Sequence, residues 1–228
     1  MRIALLLAVS ALVAGCSGGA QGPAEGAGST SATGASSAAP TTPPTTTPPT
    51  AAGAPPRRGA PIGDVVRWIE AGTPADVTGH HSMTRGGETT DLGDDVAFTT
   101  AGTETNCVTN RRRDGALACL VKLADPPPRP AGVETVWKPN WVDFAGTTVD
   151  VGSPHGDPGP FRDGTGAELG AGQSLAFGDY RCRADAAGLF CVDYAHQAAI
   201  GLSARGVVPF GCLRETTPPA EIGLRFSC

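Results

Sequence analysis

Apolar residues come along this chain in short runs, broken by Gly, Pro, Asp and Asn clusters at intervals of roughly ten residues. That spacing predicts strands. The clearest are DVAFTT (95–100), LACLVKL (117–123), WVDF (141–144), TTVDV (147–151) and SLAF (174–177). WVDFAGTTVDV reads as a hairpin turning at Ala145-Gly146. ADPPPRP (124–130) lies outside any ladder interior, because proline lacks the donor N–H. GSPHGDPGPFRDGTG (152–166) reads as a long irregular loop, the kind that often carries function in a compact domain. The best helix candidate is IGDVVRWIEAG (62–72), with Asp64 placed to cap, Val65, Val66 and Ile69 on one side, and Gly72 at the end. So short a helix needs a surface to dock on. The expected fold is mainly β, built of antiparallel hairpins as a sandwich or barrel-like domain, with one short N-terminal helix. It occupies 59–228, about the length of one domain.

The residues before it have a different pattern. Arg2 is followed by an apolar run too short to span a bilayer permanently, the layout of an export signal over 1–15. The run ends in Val13-Ala14-Gly15-Cys16, which resembles the lipobox of bacterial lipoproteins. The resemblance implies cleavage before Cys16, acylation of its thiol, and anchoring at the extracytoplasmic face of the cell membrane. Two or more acyl chains anchor stably where one does not. Residues 16–58 are Ser, Gly, Ala, Thr and Pro with hardly a large apolar side chain, which predicts a disordered tether. Its PTTPPTTTPPT segment favours polyproline II and is a candidate for O-glycosylation; fully stretched, the tether reaches on the order of 100 Å.

The net charge of −5 argues against a nucleic-acid partner. The one basic cluster, NRRRDG (110–115), reads as a solvated turn tip.

Beyond Cys16 there are six cysteines: Cys107, Cys119, Cys182, Cys191, Cys212 and Cys228. An even number in an exported chain favours disulfides, though six allow fifteen pairings. Pairing Cys182 with Cys191 across a hairpin puts Asp185-Ala186-Ala187-Gly188 at the tip, which suits a type I turn. Opposed residues of an antiparallel pair lie within disulfide reach. Cys107 and Cys119 fold back likewise around Arg113, with Asp114-Gly115 in the turn. Cys212 and Cys228 each follow a phenylalanine by two residues, which on a strand puts Phe210 and Phe226 beside that bridge. The first two pairs read as imperfect copies of one unit.

The run CRADAAGLFCVDYAHQAAIGLSARGV (182–207), with NWVDFAGTTVDVGSPHGDPGPF and FGDYRCR before it, resembles the LppI-like envelope lipoproteins of mycobacteria and related actinobacteria. The resemblance implies a lipid-anchored, β-rich domain and supplies no catalytic residue. Ala195-His196-Gln197 stands where the related motif often has Gly-His-Gly.

The sequence offers four candidate chemistries. His196 lies near Cys182 and Cys191, but a disulfide sulfur is no nucleophile. His80-His81, His155, Asp157 and His196 are the available metal ligands, without HExxH or three-histidine spacing, so no metal or other cofactor is expected and the histidines read as solvated. GQSLA is not a GxSxG elbow, and Asp94-Asp95 reads as a solvated start of a strand. No catalytic residue is assigned. The expected role is binding or scaffolding of an envelope protein, glycan or lipid, with Trp137, Trp141, His155 and Asp157 as the candidate contact surface, although the two tryptophans read first as packed in the core or across a hairpin. The alternatives are an envelope hydrolase or metal-dependent enzyme centred on His155, Asp157 and His196, and a lipid or small-molecule carrier, which needs an enclosed apolar cavity.

Overall fold

The computed structural model describes residues 53–101 and 105–228, all within the compact unit Pro48–Cys228. The signal segment 1–15, Cys16 and most of the tether lie outside the described residues.

A helix, α1 (Ile62–Glu70), leads into β1 (Thr73–Pro74) and the hairpin β2 (Ser82–Arg85) and β3 (Glu88–Asp91). Then follow β4 (Ala97–Thr100), β5 (Thr105–Asn110), β6 (Ala116–Val121), β7 (Trp137–Phe144), β8 (Thr148–Pro154) and β9 (Ala167–Leu169). The second half holds β10 (Gln173–Phe177), β11 (Tyr180–Asp185), β12 (Gly188–Asp193), β13 (Ala198–Ser203) and β14 (Gly206–Phe210), and a last hairpin, β15 (Arg214–Thr216) with β16 (Leu224–Ser227). The smaller sheet has the order β1-β10-β11-β12-β13-β14 and the larger β15-β16-β8-β7-β6-β5-β4-β9. Both sheets are open and share a core, so the domain is a sandwich and not a barrel.

The two sheets repeat one plan. The meander β4 to β8 matches the meander β10 to β14, each with a disulfide joining its second and third strands. Each meander is also flanked by a short parallel strand supplied by the other half of the chain. β1 pairs with β10, and β9 pairs with β4. This exchange of leading strands ties the halves into one unit.

Alternation explains the core. Leu117, Cys119 and Val121 on β6 point inward, as do Leu189 and Cys191 on β12. Aromatic rings interlock there, Phe98 with Phe177 at 5.9 Å and Phe144 with Tyr180 at 5.6 Å between centroids. The bridges Cys107–Cys119 and Cys182–Cys191 lie in this core, on directly opposed strand residues. Their turns form as the sequence suggests. Asp185 Oδ1 accepts from Ala187 N, and Asp114 and Gly115 take positive φ.

The third bridge, Cys212–Cys228, forms as expected, but its phenylalanines do not pack around it. Phe210 joins the cluster beneath α1 and Phe226 the sandwich core. The chain leaves β14 at Gly211, with φ +74, so the two-residue strand repeat ends before Cys212.

α1 covers the outer face of the smaller sheet. Val65, Trp68 and Ile69 pack on Phe190, Val192, Ala199 and Phe210, so the buried stripe is 65-68-69 and Val66 sits at its margin. Asp64 does not cap. The N-cap is Pro61, and Asp64, one turn in, pairs with Arg67. At the other end, Arg183 from β11 is 2% exposed, donates to the carbonyl of Trp68 and lies 3.9 Å from that indole centroid. A cation there complements the partial negative charge of the helix C-terminus.

On the outer face of the larger sheet, Met83 from the β2–β3 hairpin and Phe161 pack with Ala97, Val108, Ala118 and Trp141. The segment 152–166 is accordingly no irregular loop. Gly152 to Pro154 complete β8, Gly159–Phe161 form a 3₁₀ turn, and Thr165 bridges to Thr84. The NRRRDG tip is not simply solvated either. Arg111 pairs with Asp95 at 3.2 Å, and Arg113 with the buried Asp143 at 2.7 Å. The tether also ends earlier than the composition suggests. Trp68 Nε1 donates to the carbonyl of Gly53 at 2.7 Å, and 54–58 lie against the smaller sheet.

Candidate functional site

The four expected contact residues divide between burial and turn geometry. A bulge in β7 between Lys138 and Val142 breaks simple alternation, so Trp137 and Trp141 need not share a side. Trp141 is 2% exposed, stacked on His155 at 3.6 Å and edge-on to Phe161 at 5.0 Å. Trp141 is therefore core under the 152–166 segment. Trp137 is half-buried, its ring lying over Gly152 where any Cβ would come within 2.7 Å. Asp157 is exposed and accepts from Gly159 N at 2.8 Å, a turn role. Of the expected surface, Asp157 and the half-buried Trp137 reach solvent, and beside them stands Val136, which the sequence did not single out and which is 54% exposed.

Burial shapes the ionisation here. It holds the His155 imidazole below the ordinary histidine range, with the nearby Asp143 pulling the other way. It holds the Asp143 carboxyl above the carboxylate range, against the attraction of Arg113. His80, expected in solvent, is 5% exposed and sits edge-on to Phe98 at 6.5 Å, and burial lowers it too. The sign follows for both histidines. Their neutral forms contribute stability that is complete above about pH 6.5 and is lost as pH falls through that value toward their lowered folded values. Asp143 acts oppositely, favouring the fold as it protonates. We expect the urea midpoint to fall between about pH 7.5 and 5.5, with a shallower slope in His155→Phe. An unchanged slope in that variant would remove His155 from the account.

His155, Asp157 and His196 do not converge. His196 stands beside Gly146 in the β7–β8 turn, whereas His155 follows Pro154 at the far end of β8. The length of β8 alone puts about 20 Å between those ends.

His196 belongs to a different arrangement. Asp193, 3% exposed on β12, accepts from both the backbone N and the ring Nδ1 of His196, at 2.9 and 3.0 Å. A carboxylate only accepts, so Nδ1 is the donor in this contact. Gly146 makes room for this dyad. A Cβ there would fall 2.3 Å from His196 Nδ1 and 2.6 Å from Asp193 Oδ2. Gln197, the next residue, holds a positive φ of 51°. Beside Asp193, Tyr180 donates its hydroxyl to the Phe144 carbonyl at 3.0 Å, and burial, then Asp193, raise its pKa.

His196 lies on the wall of an open cleft of about 620 Å³, whose lining also includes Arg58, Ile62, Phe210, Arg214 and Glu215, with Asp193 buried behind it. Arg214 is held by the carbonyls of Gly211 and Leu213, at 2.9 and 2.8 Å. Cys212, whose Sγ lies 4.0 Å from the His196 carbonyl oxygen, is oxidised in its bridge to Cys228, so it offers the dyad no thiolate to activate. A second open cleft, of about 320 Å³, lies between residues 54–58 and the smaller sheet and shares Arg58 with the first. Among the described residues no cluster of three or more His, Cys, Asp or Glu side chains is arranged for a metal.

The two cysteine hairpins and the β7–β8 turn were legible in the sequence. The Asp193–His196 dyad was not, although DYAH places an acid three residues before a histidine within a turn. Comparison with protein-family models, curated proteins and solved structures found no match.

Proposed function

We propose that this chain is a cell-envelope lipoprotein, anchored through acylated Cys16, that displays its disulfide-bonded sandwich outside the membrane to bind a partner rather than to catalyse. The observation that carries this reading is the cysteine pairing. Of seven cysteines, the six in the described residues are joined to one another, which leaves Cys16, at the end of the apolar N-terminal run, with no intrachain partner. Three bridges suit an oxidising compartment, and the likeness to LppI-like lipoproteins points the same way. Binding is favoured over hydrolysis because the described lining of the larger cleft sets its imidazole among arginines and a disulfide, and includes no hydroxyl or free thiol side chain. The anchor is tested by fractionating cells that express Cys16→Ala. The variant is expected to leave the membrane fraction for the soluble one; if it stays in the membrane fraction under alkaline carbonate, the lipoprotein reading fails.

A further inference from the structure

The smaller cleft, of about 320 Å³, combines two kinds of surface. Its floor is apolar. The Phe190 ring crosses Gly201, where a Cβ would come within 2.9 Å of it, and Val208 continues the floor toward the sheet edge. Its wall is stiff, because Pro55 and Pro56 fix the backbone on that side and the Gly53 carbonyl is tied to Trp68. Its rim is cationic. Arg57, Arg58 and Arg205 are all exposed, none forms an ion pair among the described residues, and no acidic residue lines the cleft. Elsewhere on this domain arginines are engaged by acids, as Arg113 is by Asp143 and Arg225, in a bidentate contact, by Asp150, or by backbone carbonyls, as Arg85, Arg129, Arg183 and Arg214 are. A preformed apolar trough of this size falls at the lower end of the range for small-molecule sites, about 300–1,000 Å³. Three unpaired guanidinium groups at its mouth select for negative charge at one end of the occupant.

We propose that this cleft binds a single-chain anionic amphiphile, with its alkyl chain along Phe190 and Val208 and its carboxylate or phosphate head among Arg57, Arg58 and Arg205. The site depends on the described domain alone and stands whether or not Cys16 is acylated.

Trp68 packs edge-on against Phe190 at 4.9 Å, so it reports on the floor. Bromine quenches indole fluorescence at short range, and 12-bromododecanoate is therefore the probe. The protein is the full oxidised chain carrying Cys16→Ala, free of detergent. Saturable quenching is expected. It should weaken about tenfold in Arg57→Gln/Arg58→Gln/Arg205→Gln, a loss consistent with three solvent-exposed charge contacts, and to a similar degree with uncharged 12-bromododecanol. Inorganic phosphate should not displace the probe, because it lacks the chain. Equal thermal unfolding of the triple variant and the parent establishes that the variant is folded. Lack of saturation, equal affinity for the alcohol, or unchanged affinity in a folded triple variant overturns the proposal. So does binding confined to anionic phospholipid vesicles, which would make the arginines a membrane-contact patch. A failed Cys16→Ala fractionation would leave this result untouched, so the two readings fail separately.

Discussion

Replacing Cys182 and Cys191 together by alanine is expected to destabilise the domain by about 3–4 kcal/mol, and to cost more than replacing Cys212 and Cys228. Loop entropy alone predicts the reverse order. The separations are 9 residues for the first bridge and 16 for the second, and the chain-entropy model favours the longer loop by about 0.5 kcal/mol. Packing decides otherwise. Cys182 and Cys191 are 0% exposed in the sandwich core, so losing their sulfurs removes dispersion contacts as well as the crosslink. Cys212 and Cys228 are exposed, and little closes around them. Urea midpoints of the two double variants under oxidising conditions test the order. A less stable Cys212→Ala/Cys228→Ala chain would show that loop length outweighs burial. Exposure also makes Cys212–Cys228 the bridge that a small thiol should reduce first.

These bridges show how far the sequence could be read. Local information carried them: an even cysteine count, two turns with their Asp and Gly in place, and the fixed spacing of opposed strands. The same local logic located the β7–β8 hairpin, the centre of most strands and the helix. It failed where a second element decided the outcome. Asp64 had the composition of a cap, but the chain entered the helix through Pro61 and left Asp64 to Arg67. The segment 152–166 had the composition of a loop, yet the β2–β3 hairpin and the outer face of the larger sheet gave it partners. Residues 54–58 had the composition of tether, yet the Gly53 carbonyl meets Trp68.

The exchange of β1 and β9 could not be read at all. Both are too short to show a period, and each pairs with a strand from the other half of the chain. Both clefts likewise join parts of the chain far apart in sequence, since residues 54–58 line the smaller cleft and 58–62 the larger beside residues of the second half. The Asp193–His196 dyad has the same origin. Its two residues are close in sequence, but what makes room for them is Gly146, a turn glycine from the other sheet.

The sequence offered Trp141 both as a core residue and as a contact residue, the two readings differ greatly in consequence, and Trp141→Ala separates them. As a binding residue, its loss would weaken ligand affinity and leave the fold intact. As a core residue, it should destabilise the domain by about 3–5 kcal/mol, the usual range for a buried tryptophan truncated to alanine. Its position argues for the second outcome. It is among the largest fully buried side chains and is enclosed by Phe161 on one side and by the stacked His155 ring on another. Trp137→Ala should cost clearly less, about 1–2 kcal/mol, because that ring is only half-buried. The His155 titration supplies a check that stability alone does not. Burial is what holds that imidazole low, so opening the stack should return its pKa toward the ordinary value. A folded Trp141→Ala chain with native stability and an unmoved His155 titration would mean that the stack neither supports the fold nor sets the histidine's environment. Ligand contact would then be the better account of Trp141.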